Sequence, residues 1–240
     1  YTAAGHGEVT VYPGALQLNS KFTNSDGVAV AVSYALQENM ALQIMGFYNY
    51  AVGNSAFSNE LLNLHARPEA ADSLWLDYGA VGAFEVAPIY GKFAFYQGAL
   101  AQFRFVLNAG AGFGHSQVQL TPGPSAADPT ADPAQYGDAG IRFLGNLGVG
   151  FRITIGSYIA IRLEVRDLLY TARVDHLNGC TLQDVTDLQA SQPAVSSGCS
   201  VKSFDPDDST ALTVAKDLLG DVSSDVVNDV VFFGGASILF

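Results

Sequence analysis

The chain has 240 residues, a formal net charge of −12 and a pI near 4.4, with 49% hydrophobic but only 14% charged residues. This acidic balance excludes a nucleic-acid partner, which needs a basic footprint. Mean hydropathy is +0.20, yet no run of about 18 apolar residues exists, so no segment can cross a membrane as a helix.

The opening at Tyr1 on a polar segment is the expected start of a mature exported protein. Strand side chains alternate between two faces, so apolar and polar residues at period two mark each strand. The first strand is expected over 8–19, with a change of phase at Pro13-Gly14 that reads as a bulge. The second, 28–37, sets Val28, Val30, Val32, Tyr34 and Leu36 against Ala29, Ala31, Ser33 and Gln37. In the third, 39–50, Met40, Leu42, Ile44, Tyr48 and Tyr50 oppose Asn39, Gln43 and Asn49, with Met45 and Phe47 as apolar exceptions. In the fourth, 74–87, Leu74, Leu76, Tyr78, Ala80, Phe84 and Val86 oppose Trp75, Asp77, Gly79, Ala83 and Glu85.

The fifth strand, 100–118, places Phe103, Phe105, Leu107, Ala109 and Phe113 against Gln102, Arg104, Asn108 and Ser116. The sixth, 140–155, places Ile141, Phe143, Leu147, Val149, Phe151 and Ile153 against Arg142, Asn146, Arg152, Thr154 and two glycines. Alternation is clearest in the seventh, 158–171, where Ile159, Ile161, Leu163 and Val165 oppose Arg162, Glu164 and Arg166. The last strand, 228–240, ends on Phe240, as outer-membrane barrels commonly do; a terminal aromatic resembles the signal read by the barrel-insertion machinery.

Connections between these segments alternate. Gln37-Glu-Asn39, 88–92 and Gly156-Ser157 are the shorter ones; 20–27, 51–73, 120–139 and 172–227 are longer. Such alternation is expected when one barrel end faces the periplasm and the other the exterior, with both termini on the short-turn side.

Facing decides between two kinds of barrel. A soluble eight-stranded barrel is apolar inside, whereas a membrane barrel is inverted. Here the apolar face carries bulky Phe, Ile, Leu and Val throughout, more than a small lumen holds. The opposite face carries Gly, Ala, Ser and the charges. Tyrosines near the strand ends fit interfacial girdles. The expected fold is therefore an all-β, eight-stranded antiparallel transmembrane β-barrel in the outer membrane, with long extracellular loops. Its lumen should be filled by a charge network of Arg104, Arg142, Arg152, Arg162 and Arg166 with Glu85 and Glu164, since a buried charge requires a partner.

The run Ala87-Pro-Ile-Tyr-Gly-Lys-Phe93, with Ala109-Gly-Ala-Gly-Phe113, Leu147-Gly-Val-Gly-Phe151, Leu163-Glu-Val-Arg-Asp-Leu-Leu-Tyr170 and the terminal Phe240, resembles the outer-membrane β-barrel domain family of myxobacteria and related deltaproteobacteria. The similarity extends from Glu8 to Phe240 and is most specific in Pro-Ile-Tyr-Gly-Lys and Glu-Val-Arg-Asp. It implies an integral outer-membrane barrel without catalytic residues.

The chain's two cysteines, Cys180 and Cys199, lie in the polar 172–227 segment without metal-type spacing, so a loop disulfide formed in an oxidising compartment is expected. Asp205, Asp207 and Asp208 offer oxygen ligands for a Ca²⁺ ion but match no EF-hand spacing; no other cofactor is indicated. Asp217, Asp221 and Asp225 recur every fourth residue and read as the solvated face of a short helix. None of His6, His65, His115 and His176 has a second His or Cys at ligand spacing, and His176 beside Asp175 is an isolated pair. The chain is accordingly read as a non-enzyme.

More than a third of the chain lies in the four longer connections. That mass favours a structural or interaction protein presenting acidic loops to another copy, an envelope protein or surface material. Lipid and lipopolysaccharide are its expected surroundings. The alternative function is a narrow channel or transporter for small solutes.

Overall fold

Extended backbone must find its hydrogen-bond partners on neighbouring strands, and a sheet leaves two bare edges unless its first and last strands meet. A computed structural model, which describes residues 4–19, 23–63, 74–95, 99–121, 129–130, 135–174 and 223–240, closes that ring. Eight antiparallel strands are present among the described residues: β1 (Gly7–Asn19), β2 (Thr23–Gln37), β3 (Met40–Asn54), β4 (Leu74–Phe95), β5 (Ala99–Thr121), β6 (Gln135–Ile155), β7 (Ile159–Val174) and β8 (Ser223–Leu239). They pair in chain order into a closed barrel. Closure is made by β1 on β8, from Glu8 opposite Leu239 to Asn19 opposite Asp229.

Period-two patterning decides which way each side chain faces. Val28, Val30, Val32, Ile44, Phe113, Phe143, Ile161 and Ile238 are exposed on the outer surface, while Ala29, Ala31, Gln43, Arg162 and Arg166 are buried inside. The apolar exceptions Met45 and Phe47 are buried with the lumen set. In β1 the phase does change: Thr10 and Tyr12 are buried before the break, Ala15 and Gln17 after it, with the register shift between Tyr12 and Ala15. Pro13 cannot donate to the ladder, so a bulge is where a wall strand tolerates it.

Both termini lie at the end that carries the β2–β3 and β6–β7 turns. Gly7 exchanges backbone hydrogen bonds with Phe240, and the Leu239 amide donates to Tyr158 of the β6–β7 turn.

Three expectations change. The first longer connection is short, because β1 and β2 stay paired to Asn19 opposite Thr23, leaving only 20–22 between them. Residues 88–92 are wall rather than connection: β4 runs on to Phe95, with Pro88 inside a register shift between Val86 and Ile89. Leu74 and Leu76, expected outside, are buried like Trp75. The reason is another shift, between Leu76 and Tyr78, beyond which β4 no longer pairs with β3. Freed from that neighbour, Leu74 and Leu76 carbonyls instead accept from Thr23 Oγ1 and Asn49 Nδ2.

The 51–73 connection also contains a helix, α1 (Ala56–Asn63), that alternation does not reveal. Ser55 caps it, its hydroxyl accepting from the Ser58 amide at 3.1 Å. Among the described residues no helix is long and apolar enough to cross a membrane. Cys180, Cys199, Asp205, Asp207, Asp208, His176, Asp217 and Asp221 lie outside the described residues; Asp225, expected on a short helix, instead belongs to β8, where it lies opposite Ala172 of β7.

Candidate functional site: a charge network in the lumen

On β7, Arg162, Glu164 and Arg166 stand two residues apart and therefore share the inner face. Their room comes from β6. Gly148 lies opposite Arg166 and Gly150 opposite Glu164. A methyl group at Gly148 would come within 2.9 Å of Arg166 Cγ, and one at Gly150 within 2.8 Å of Glu164 Cγ. Glycine is required here by crowding, not by backbone angle.

Glu164 is the hub. It accepts from Arg162 Nε at 2.6 Å, from Arg166 Nε at 2.9 Å and Nη2 at 2.5 Å, and from the Tyr12 hydroxyl at 2.8 Å. The other partners come from across the barrel. Arg162 Nη2 donates to Glu85 of β4, and Arg166 Nη2 donates to Gln43 of β3. Gln43 Nε2 in turn donates to Glu85 at 2.9 Å and to Ser33 at 3.2 Å. Glu8 of β1 extends the chain of charges, 2.9 Å from Arg152 Nη2 and 3.5 Å from Arg162 Nη1. Arg166 also sits over the Phe233 ring, 5.8 Å from its centroid.

Arg152, Arg162 and Arg166 thus balance Glu8, Glu85 and Glu164, and the cluster is neutral. Neutrality and dense hydrogen bonding are what a site this dry demands: Arg162 is 1% exposed and Arg166 0%. Chemically it is a cross-brace.

The network differs in membership from the expected one. Arg162, Arg166, Glu85 and Glu164 meet as anticipated, and Arg152 joins through Glu8. Arg104 is only half-buried and lines a cleft at the short-turn mouth. Arg142, also half-buried, lies on β6 opposite Gly114, ten residues along the strand from Arg152. Glu8, Tyr12, Gln43 and Ser33 were missed. Their facing was legible, since each lies on the polar side of its strand. Their meeting was not, because the bulge in β1 hides which height Glu8 and Tyr12 reach.

A second polar cluster lies toward the longer-connection end. Gln17 Nε2 donates to Asp229 at 2.7 Å, and Asn49 Nδ2 donates to Gln17 Oε1 at 2.5 Å. Nearby on β4 and β5, Asp77 lies 2.8 Å from His115 Nδ1 and accepts from Gln117 at 3.0 Å, while the His115 ring stacks on Tyr78. The sequence matches no family model and no curated protein.

Proposed function

We propose that this chain is an integral outer-membrane β-barrel whose filled lumen is structural and whose acidic loops are its working surface. The single observation that carries the reading is inversion. Ile44 and Ile141 are 69% exposed on the outer wall while Arg162 and Arg166 are enclosed. A contiguous apolar surface of that extent needs an apolar solvent. Tyr48, Tyr50 and Tyr78 toward one end, with Tyr90, Tyr158 and Phe240 toward the other, face outward where interfacial girdles would lie.

In this reading the termini are periplasmic and the connection from 175 to 222 is extracellular, stapled by a Cys180–Cys199 disulfide. Phe240, 68% exposed at the end of the closing strand, serves the insertion machinery. The resemblance to the myxobacterial outer-membrane barrel domain belongs to the same proposal. No observation favours a conduit: the Arg162–Glu85 and Arg166–Gln43 contacts cross the lumen from β7 to β4 and β3, and so small a barrel has little room beside them.

The decisive experiment is fractionation followed by loop deletion. The chain is expected in outer membranes, extractable only with detergent and slower-migrating after boiling. Removal of 176–222 should leave that folded form intact and abolish its association with other copies or envelope partners. A monodisperse folded chain in plain buffer overturns the membrane reading; unchanged association after deletion overturns the role given to the loops.

A further inference from the structure

Three arginines stand side by side on the inner wall near the short-turn mouth. Arg104 of β5 is directly opposite Arg152 of β6, which is directly opposite Arg162 of β7. Directly opposed like charges repel, so such a ladder needs compensation. Arg162 has it, lying within ion-pair distance of Glu8, Glu85 and Glu164. Arg152 has Glu8 alone. Arg104 has no ion-pair partner among the described residues.

Two further facts single out the space beside Arg104 and Arg152. Arg152 is 9% exposed and its buried Nε has no hydrogen-bond partner among the described residues, which leaves a desolvated donor uncompensated. Both arginines also line one cleft, of about 30 Å³, together with His6, Glu8, Asn39 and Glu85. That volume accommodates roughly two water-sized bodies, too little for a sugar or a phosphodiester. Glu8 and Glu85 share the cleft but are already engaged by Arg152, Arg162 and Gln43. With Arg104 added to the neutral network, the mouth carries one positive charge in excess.

We propose that this mouth binds a small inorganic anion of halide size between Arg104 and Arg152. The ion accepts from both guanidinium groups, relieves their mutual repulsion and supplies the negative charge that the network lacks. The site lies beside the Arg162–Glu85 pair, which joins β7 to β4 across the barrel.

The test uses the whole folded chain in detergent micelles. Thermal unfolding is followed in sodium bromide and in sodium gluconate at matched ionic strength, for the native chain and for Arg104→Gln and Arg104→Lys. A ligand that binds only the folded state raises the melting temperature as its concentration passes Kd. The native chain is expected to gain stability with bromide but not gluconate, with an apparent affinity at least about fivefold weaker in Arg104→Gln and largely retained in Arg104→Lys. Equal bromide dependence in native and Arg104→Gln chains, or equal effects of bromide and gluconate, overturns the site. Should Arg104→Gln fail to fold, bromide-soaked crystals of the native protein decide: an anomalous peak between the two guanidinium groups supports the site, and its absence refutes it.

Discussion

Arg162 and Glu85 are ion-paired although their strands, β7 and β4, are not neighbours in the barrel wall. The contact is therefore a strut across the lumen, tying one side of the cylinder to the other independently of the ladder hydrogen bonds. Arg166 to Gln43 of β3 is a second such strut. A small barrel gains rigidity from these ties because each fixes the distance between walls that no backbone bond connects.

Removing Arg162 should be costly. Arg162→Met leaves Glu85 without its ion-pair partner and three carboxylates to share Arg152 and Arg166 in a dry interior, and a loss of about 3–5 kcal/mol is expected. In a double-mutant cycle with Glu85→Gln, measured by unfolding in detergent and urea, the pair should couple by about 1–3 kcal/mol. Strict additivity of the two substitutions would show that the strut contributes nothing.

Tyr12 tests the hub from another direction. Its hydroxyl donates to the charged Glu164 at 2.8 Å, whereas Thr10 and Ser237 share a neutral hydroxyl bond at 2.9 Å. Tyr12→Phe should cost about 2 kcal/mol and Thr10→Val about 1, because bonds to ionised groups are stronger. The reverse ranking in urea melts would mean that Glu164 is held adequately by its arginines alone.

Crowding supplies a third prediction. Gly150→Leu drives a side chain into Glu164 and should prevent formation of the folded, heat-modifiable species. Val149→Leu, one residue away on the outer face, should change stability by less than about 0.5 kcal/mol. Comparable yields of the two variants on refolding would place Gly150 outside the lumen.

Depth dependence tests the surrounding solvent. Leu163 is exposed on the outer face of β7 opposite Phe151 and Gly234, while Thr171 is exposed near the longer-connection end of the same strand. In lipid bilayers Leu163→Arg should cost about 2–4 kcal/mol and Thr171→Arg no more than about 1. Equal penalties at both positions, measured by unfolding from vesicles, would contradict an apolar solvent around the wall.

Alternation made the facing of nearly every wall residue readable in advance, because a strand offers only two directions and the solvents on either side differ. Where reading failed, it failed at bulges. Leu74 and Leu76 follow the outward phase of β4, yet a register shift and the loss of β3 as a neighbour turn them in. The helix at Ala56–Asn63 escaped because its signal is one capping serine, Ser55, within a polar connection.

The lumen network divides in the same way. That Arg104, Arg142, Arg152, Arg162 and Arg166 point inward follows from their own strands. Whether they meet depends on height along the barrel axis, which is a property of register between strands and of ring closure. Arg142 and Arg152 lie on one strand and one face, but ten residues separate them, and only Arg152 reaches Glu8. Local sequence thus determined orientation, since side-chain direction is decided within a strand. The pairing of β1 with β8 and the bulges that offset it decided contact, since that depends on residues more than 200 positions apart coming into register.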